Sequence, residues 1–390
     1  MTTRSDFDDI RPYNDSELTI VLERMVSDKE VLAGIAMVMP KQLADKLVLG
    51  YKELRSVDQF QEEYMYPMLE HLKDIKSTAI TYSGSEYVKQ PALFLSNHRD
   101  IIIDPAFLQY VLLKCGMKTS EIAIGSNLMA KPWITDAMRV NKSFVVRRNL
   151  TRGEQISAFG ELSRYIAHTI TQKRASIWLA QREGRAKDSD DRTQISLLKM
   201  LSLSGEGSFA ENIKKLRLHP LSISYEYDVC DYMKAKELQQ RRDDENFVKS
   251  AADDVLSMQV GAMGSASEIH YAFTPSIDEE LDLIASKRLP RNEEVRRVAE
   301  AIDTRIHRAY KIFKTNYIAF DLAEGSSRFE SNYTKEEKDN FSAYIDKQTA
   351  KIELRQVDKA FCREKMLEMY ANPLKNKIAA EEHRLDEGNK

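Results

Sequence analysis

The chain has 390 residues, 42% of them hydrophobic, enough for one large domain or two ordinary ones around a sizeable core. Its 58 lysines and arginines face 61 aspartates and glutamates, so the net charge of -3 excludes a blanket attraction to nucleic acid or anionic lipid, and any anion site must be local. Three scattered cysteines, Cys115, Cys230 and Cys362, have neither metal-ligand spacing nor the even count of a disulfide framework; they read as free thiols of a reducing compartment.

Residues 1–9 hold four charged side chains and no apolar core, which is not the pattern of a secretory signal, and the start reads as cytoplasmic. From residue 14 to about 75 the spacing is helical. Leu18, Val21, Leu22 and Met25 share one face, Asn14 and Glu17 fit a cap, and further helices are expected over 41–54 and 59–75. The longest apolar run, 31–40, is about half a bilayer span and ends in a proline, so it reads as a core helix, with a lipid-touching surface as the alternative. At Ala79 the texture changes to short β-branched or aromatic runs between helical segments, the pattern of a layered α/β domain. Strands are expected at 93–95, 122–124, 144–146, 176–180, 221–225 and 269–273. The charged stretch 234–254 reads as a helix projecting into solvent, and 292–313 and 335–384 as amphipathic helices that form a carboxyl-terminal cover. The expected organisation is a helical subdomain (1–78), an α/β domain with a mixed central sheet flanked by helices (79–330) and a helical extension (331–390).

Four segments carry chemistry. In the first, the apolar run from Leu93 ends in Asn97-His98-Arg99-Asp100, followed by Asp104 and Pro105. A histidine at a strand end, with a carboxylate to fix its tautomer, can deprotonate a hydroxyl. The second, Phe144-Val145-Val146-Arg147-Arg148, ends in two guanidiniums just before a helix start at Thr151 and Glu154, a combination that suits a phosphate. The third, Ile177 to Lys187, runs into charge around Gly184. There the backbone can approach a ligand, Glu183 can accept from a substrate hydroxyl, and Arg185 and Lys187 add positive charge. The fourth, Leu218-His219-Pro220-Leu221, is a strand entered through a proline.

An Asn-His-loop-Asp block, a strand ending in Arg-Arg, a strand ending in Glu-Gly-Arg and a proline-led strand, in that order over about 92–225, resemble the glycerolipid acyltransferase superfamily. Phe144 to Arg148 is similar to the Phe-Phe-Ile-Arg-Arg block of its glycerol 3-phosphate branch. Asp104-Pro105-Ala106 is similar to the soluble plastid-type enzymes, which also carry a helical amino-terminal domain. The resemblance implies transfer of a fatty acyl group from acyl-carrier protein or acyl-coenzyme A, as co-substrate and without a cofactor, to glycerol 3-phosphate or a lysophospholipid such as lysophosphatidate. His98 would be the base and Asp104 its orienting partner; Arg147, Arg148 and Arg185 would hold the phosphate, and Glu183 would position the acceptor within the Glu183 to Lys187 substrate segment. It also implies peripheral association with the inner face of a membrane.

Two departures stand out. The family has four residues between His and Asp, whereas five separate His98 from Asp104, and within a helix that insertion would turn a side chain by about 100°. Asp100 is therefore the rival partner, although Asp104 keeps the Asp-Pro context. Ala180-Gln181-Arg182 stands where many relatives have Phe-Pro before Glu-Gly, which bears on the acceptor pocket. His71, His168, His219, His270, His307 and His383 show no metal-ligand spacing, so no metal is expected. The alternatives are O-acylation of a lyso-aminolipid and a non-catalytic lipid-binding relative. For membrane contact the candidates are residues 31–39 and the tail beyond Lys335, and neither has a strongly basic face.

Overall fold

The computed structural model describes residues 6–388 apart from Ser77 and Ala130; readings placed on residues 1–5 and on the His383 side chain fall outside what is described. The chain opens with α1 (Asp15–Ser27), α2 (Lys29–Val38), α3 (Lys41–Gly50), α4 (Val57–Phe60) and α5 (Tyr66–Ile75), the last two joined by a π-helical turn at Gln61–Met65. Asn14 caps α1 as its pattern predicts. Its side chain accepts from the Ser16 amide, and Glu17 accepts from the Asn14 amide at 2.8 Å, so two amides at the helix start are satisfied. Leu18, Val21 and Leu22 then pack with Leu47, Tyr51, Phe60 and Tyr64 in a core of their own.

Strands and helices then alternate: β1 (Ala79–Ser83), β2 (Leu93–Ser96), α6 (Ile103–Lys114), β3 (Glu121–Gly125), α7 (Pro132–Val140), β4 (Ser143–Val146), α8 (Arg152–Thr171) and β5 (Ile177–Ala180). After α9 (Ile195–Leu201) and α10 (Phe209–Lys214) come β6 (Leu218–Tyr225), α11 (Asp231–Asp243), α12 (Ala251–Met263) and β7 (Glu268–Phe273). The strands form one sheet in the order β1-β7-β6-β2-β5-β3-β4, parallel throughout except for the β6–β7 pair. This is the expected mixed sheet. Its strand pleat divides the core: Leu93, Leu95, Ile177 and Leu179 face one layer, while Phe94 and Trp178 face the other.

Each of the six expected strands is present, with β6 beginning three residues earlier than its expected start. The unexpected one is β1. It lies at the sheet edge, paired only with β7, and its half-exposed Ala-Ile-Thr-Tyr-Ser sequence gives no buried-strand signature.

Two expectations are corrected. The segment 234–254 projects into solvent only past its first turns: Lys234, Ala235, Glu237 and Gln239 of α11 are buried, with the chain's last helices packed on α11, whereas residues 241–246 are exposed. Residues 31–40 do not form a core helix either, since α2 buries Val31 while Met37 is 67% exposed. The chain closes with α13 (Asp278–Ser286), α14 (Arg291–Arg308), α15 (Lys314–Glu324), α16 (Lys335–Thr349) and α17 (Lys359–Gly388). Ile318, Phe341, Ile345, Met366 and Tyr370 from the last three of these meet Ala235 of α11 in a separate core.

Candidate active site

The site begins where β2 stops. Asn97, fully buried, fastens the end of the strand to β6 through both ends of its side-chain amide: Nδ2 donates to the Ile223 carbonyl and Oδ1 accepts from the Ile223 amide, each at 2.8 Å. The next residue, His98, is thereby presented on fixed backbone. Its ring stands edge-on to Trp178, with centroids 5.5 Å apart, and Trp178 is itself held by Nε1 donating to Ser96 Oγ at 2.9 Å.

Asp104 is the partner of His98. His98 Nδ1 lies 2.7 Å from Asp104 Oδ2, and a carboxylate acceptor places the proton on Nδ1, leaving Nε2 with its lone pair. The same oxygen accepts from the amides of Arg99 at 2.6 Å and Asp100 at 3.0 Å, and the Tyr225 hydroxyl donates to Oδ1 at 2.7 Å. Asp104 also sits in the first turn of α6, where the helix dipole favours a negative charge.

Asp100 has a different task. Its Oδ1 accepts from the Ile102 and Ile103 amides at 2.9 Å each and so caps the start of α6, while its other oxygen faces Arg185 at 3.8 Å and the Cys230 thiol at 3.6 Å. Burial pushes its carboxyl above the usual range, opposed by Arg185. The extra residue between His98 and Asp104 is absorbed before α6 begins, in a turn where no helical register exists to be lost.

His98 lines a cavity of about 1010 Å³. Of the residues expected to bind substrate, Arg148, Glu183, Gly184, Arg185 and Lys187 line it as well. Arg148 pairs with Glu183 at 2.5 Å, and Lys187 with Glu237 at 3.1 Å. Gly184 has φ +68, and nothing lies within 4 Å of where a Cβ would stand, so backbone there is open to a ligand. Arg147 is not brought to the site. Consecutive residues of extended chain point to opposite sides, and Arg147 pairs with Glu161 of α8 at 3.0 Å while Arg148 turns to the cavity. Thr151 and Glu154 do form the expected cap of α8, but only one arginine of the pair joins the cavity wall.

The cavity has two characters. Met65, Met68, Leu72, Ile102 and Ala106 form an apolar wall between α5 and α6, whereas Arg182, Lys187, Arg241 and Lys249 bring cationic charge to the lining, with Glu237 and Asp254 as counter-charges to the last three. Burial, together with Arg185 and Lys249, brings the Lys187 ammonium down to about 8 against the pull of Glu237.

Three contributors escaped the sequence reading. Tyr225 was seen only as a strand end. Lys234, buried on α11, donates to the Arg99 carbonyl at 3.0 Å and pairs with Asp228. Arg182 gave a signal only as a departure from the Phe-Pro pattern. Among the described residues no cluster of His, Cys, Asp and Glu could hold a metal ion.

Residues 79–195 match the family model described as Acyltransferase. No curated protein matches the chain. Among solved structures, the 1-acyl-sn-glycerophosphate (LPA) acyltransferase PlsC from Thermotoga maritima is similar at 12% identity, over 74% of this chain and 93% of that one, with a TM-score of 0.34, too low to bear on the argument.

Proposed function

We propose, from the match of residues 79–195 to the acyltransferase family model, that the protein moves a fatty acyl group from a thioester, acyl-coenzyme A or acyl-carrier protein, to the hydroxyl of glycerol 3-phosphate or a lysophospholipid. The observation that carries this reading is His98, bonded through Nδ1 to a buried carboxylate, on a cavity lined by apolar side chains and by more cations than acids. His98 Nε2 takes the proton of the acceptor hydroxyl as its oxygen attacks the thioester carbonyl carbon. The tetrahedral intermediate then collapses: the carbon–sulfur bond breaks, and the thiolate receives the proton back from the imidazolium. Asp104 stabilises that imidazolium and never leaves its four donors. The apolar wall suits the acyl chain and the cations the phosphate. Membrane contact is assigned to the exposed face of α2, because the apolar residues of α16 and α17 are spent on packing.

His98→Ala is expected to lower kcat by about 10²- to 10⁴-fold, the usual worth of general-base assistance, with acceptor binding retained. Transfer from labelled acyl-carrier protein and acyl-coenzyme A to glycerol 3-phosphate and lysophosphatidate checks this. An unchanged rate in the variant would sink the mechanism, and wild-type transfer only to a lyso-aminolipid would replace the acceptor.

A further inference from the structure

Nearly every cation on the cavity wall is already committed. Lys76 is spent on the carbonyls of Gly261 and Ala262. Arg148 pairs with Glu183, Lys187 and Arg241 share Glu237, and Lys249 pairs with Asp254, while Arg185 is buried 3.8 Å from Asp100, too far for a hydrogen bond. Arg182 lines the same cavity, half-buried, and has no ion pair and no side-chain hydrogen bond among the described residues.

Its backbone is fixed on both sides. The Gln181 amide donates to the Ser96 carbonyl at 2.7 Å, in register with β2 and one residue before Asn97, and the Glu183 amide donates to Gln194 Oε1 at 2.9 Å. A guanidinium carries five donors in a planar fork, and holding it half out of water without an acceptor is unfavourable unless a ligand supplies one. The fork matches a phosphate.

We infer that Arg182 is the residue that grips a phosphate of the substrate in this cavity, whereas its neighbour Arg148 is held by Glu183 and Arg185 lies buried beside Asp100. The inference rests on the acyl-transfer reading above for the ligand's identity, but the geometry calls only for a phosphate, which the acceptor or coenzyme A could each provide. The residue lies one position before Glu183, where the sequence leaves the family's Phe-Pro pattern, so it is a feature of this chain's own pocket.

The test is calorimetric titration of wild type, Arg182→Met and Arg182→Lys with glycerol 3-phosphate, lysophosphatidate and acyl-coenzyme A, alongside KM and kcat. Losing a charge-assisted bond to phosphate is expected to weaken binding by about 10- to 100-fold in Arg182→Met, with partial recovery in Arg182→Lys and little change in kcat. Weakening confined to the acceptors identifies the acceptor's phosphate; weakening confined to acyl-coenzyme A identifies the donor's. Equal affinities in wild type and Arg182→Met, or no binding of any of the three to wild type, overturns the inference. Phosphate binding that depends on Arg182 in a protein that transfers no acyl group would overturn the acyl-transfer reading and leave this one standing.

Discussion

Asp104 collects donors from two parts of the chain: the His98 ring with the next two loop amides, and the Tyr225 hydroxyl at the end of β6. A buried carboxylate held by four donors is immobile, and that holds the imidazole in one tautomer. On the cavity wall, Lys187 has a charge that responds to ordinary pH. Desolvation is the largest cause of its lowered pKa, followed by the Arg185 charge; Glu237 opposes them and Lys249 adds to them. With the folded pKa at about 8, the ammonium is charged below that value and neutral above it, whereas a phosphate ester has already lost its second proton near pH 6. Glycerol 3-phosphate affinity is therefore expected to fall severalfold between pH 7 and 9, and Lys187→Arg, which keeps its charge, should flatten the profile. Titrations across that range decide it; a flat wild-type profile would exclude Lys187 from the anion's field.

At the scale of elements, α11 and α12 do more than cover the sheet. Both bear on the catalytic loop from outside the matched region 79–195, α11 through Lys234 on the Arg99 carbonyl and α12 through Gly261. A Cβ on Gly261 would stand 2.3 Å from Asp100 Oδ2, and Asp100 cannot retreat because its other oxygen caps two amides of α6. Gly261→Ala is expected to cost about 1–3 kcal/mol of stability, as overpacking of a tight site does, and to lower kcat more than it raises KM. Denaturant unfolding and steady-state kinetics of that variant measure both. Wild-type values would mean that α12 yields freely and has no hold on the loop. The sequence marked this region only as charged and helix-prone, since Lys234 and Glu237 meet Arg99 and Lys187, which lie 50 or more residues earlier in the chain.

For the whole molecule, the sheet order places β2 between β5 and β6, so the loops at the carboxyl ends of β2 and β5 lie side by side, with His98 on one and Arg182 to Lys187 on the other. Open α/β sheets bind ligands at such strand ends. Val38 at the end of α2 lines the same cavity, and the helix exposes Met37 at 67%, with Leu49 of α3 at 84%. The proposed membrane contact would set this face against lipid. No described helix is long and apolar enough to cross a membrane. Met37→Asp is expected to weaken liposome flotation by about 10-fold, since burying one such side chain contributes roughly 1.5–3 kcal/mol. Flotation equal to that of wild type would move the contact elsewhere.

Taken alone, the sequence determined the strands of the sheet core, the caps at Asn14 and Thr151, and a strand-end histidine with two candidate acids, Asp100 and Asp104. These are local in origin: periodicity, cap chemistry and motif spacing lie within a few residues of one another. Tertiary structure alone decided which acid meets His98, because the turn at Ile101 and Ile102 absorbs the extra residue and sends Asp100 to cap α6. It also decided that Arg147 and Arg148 part company, that Tyr225 and Lys234 brace the loop, and that Arg182 keeps its fork unpaired among the described residues. Such contacts join residues far apart in the chain, and no spacing within one segment encodes them.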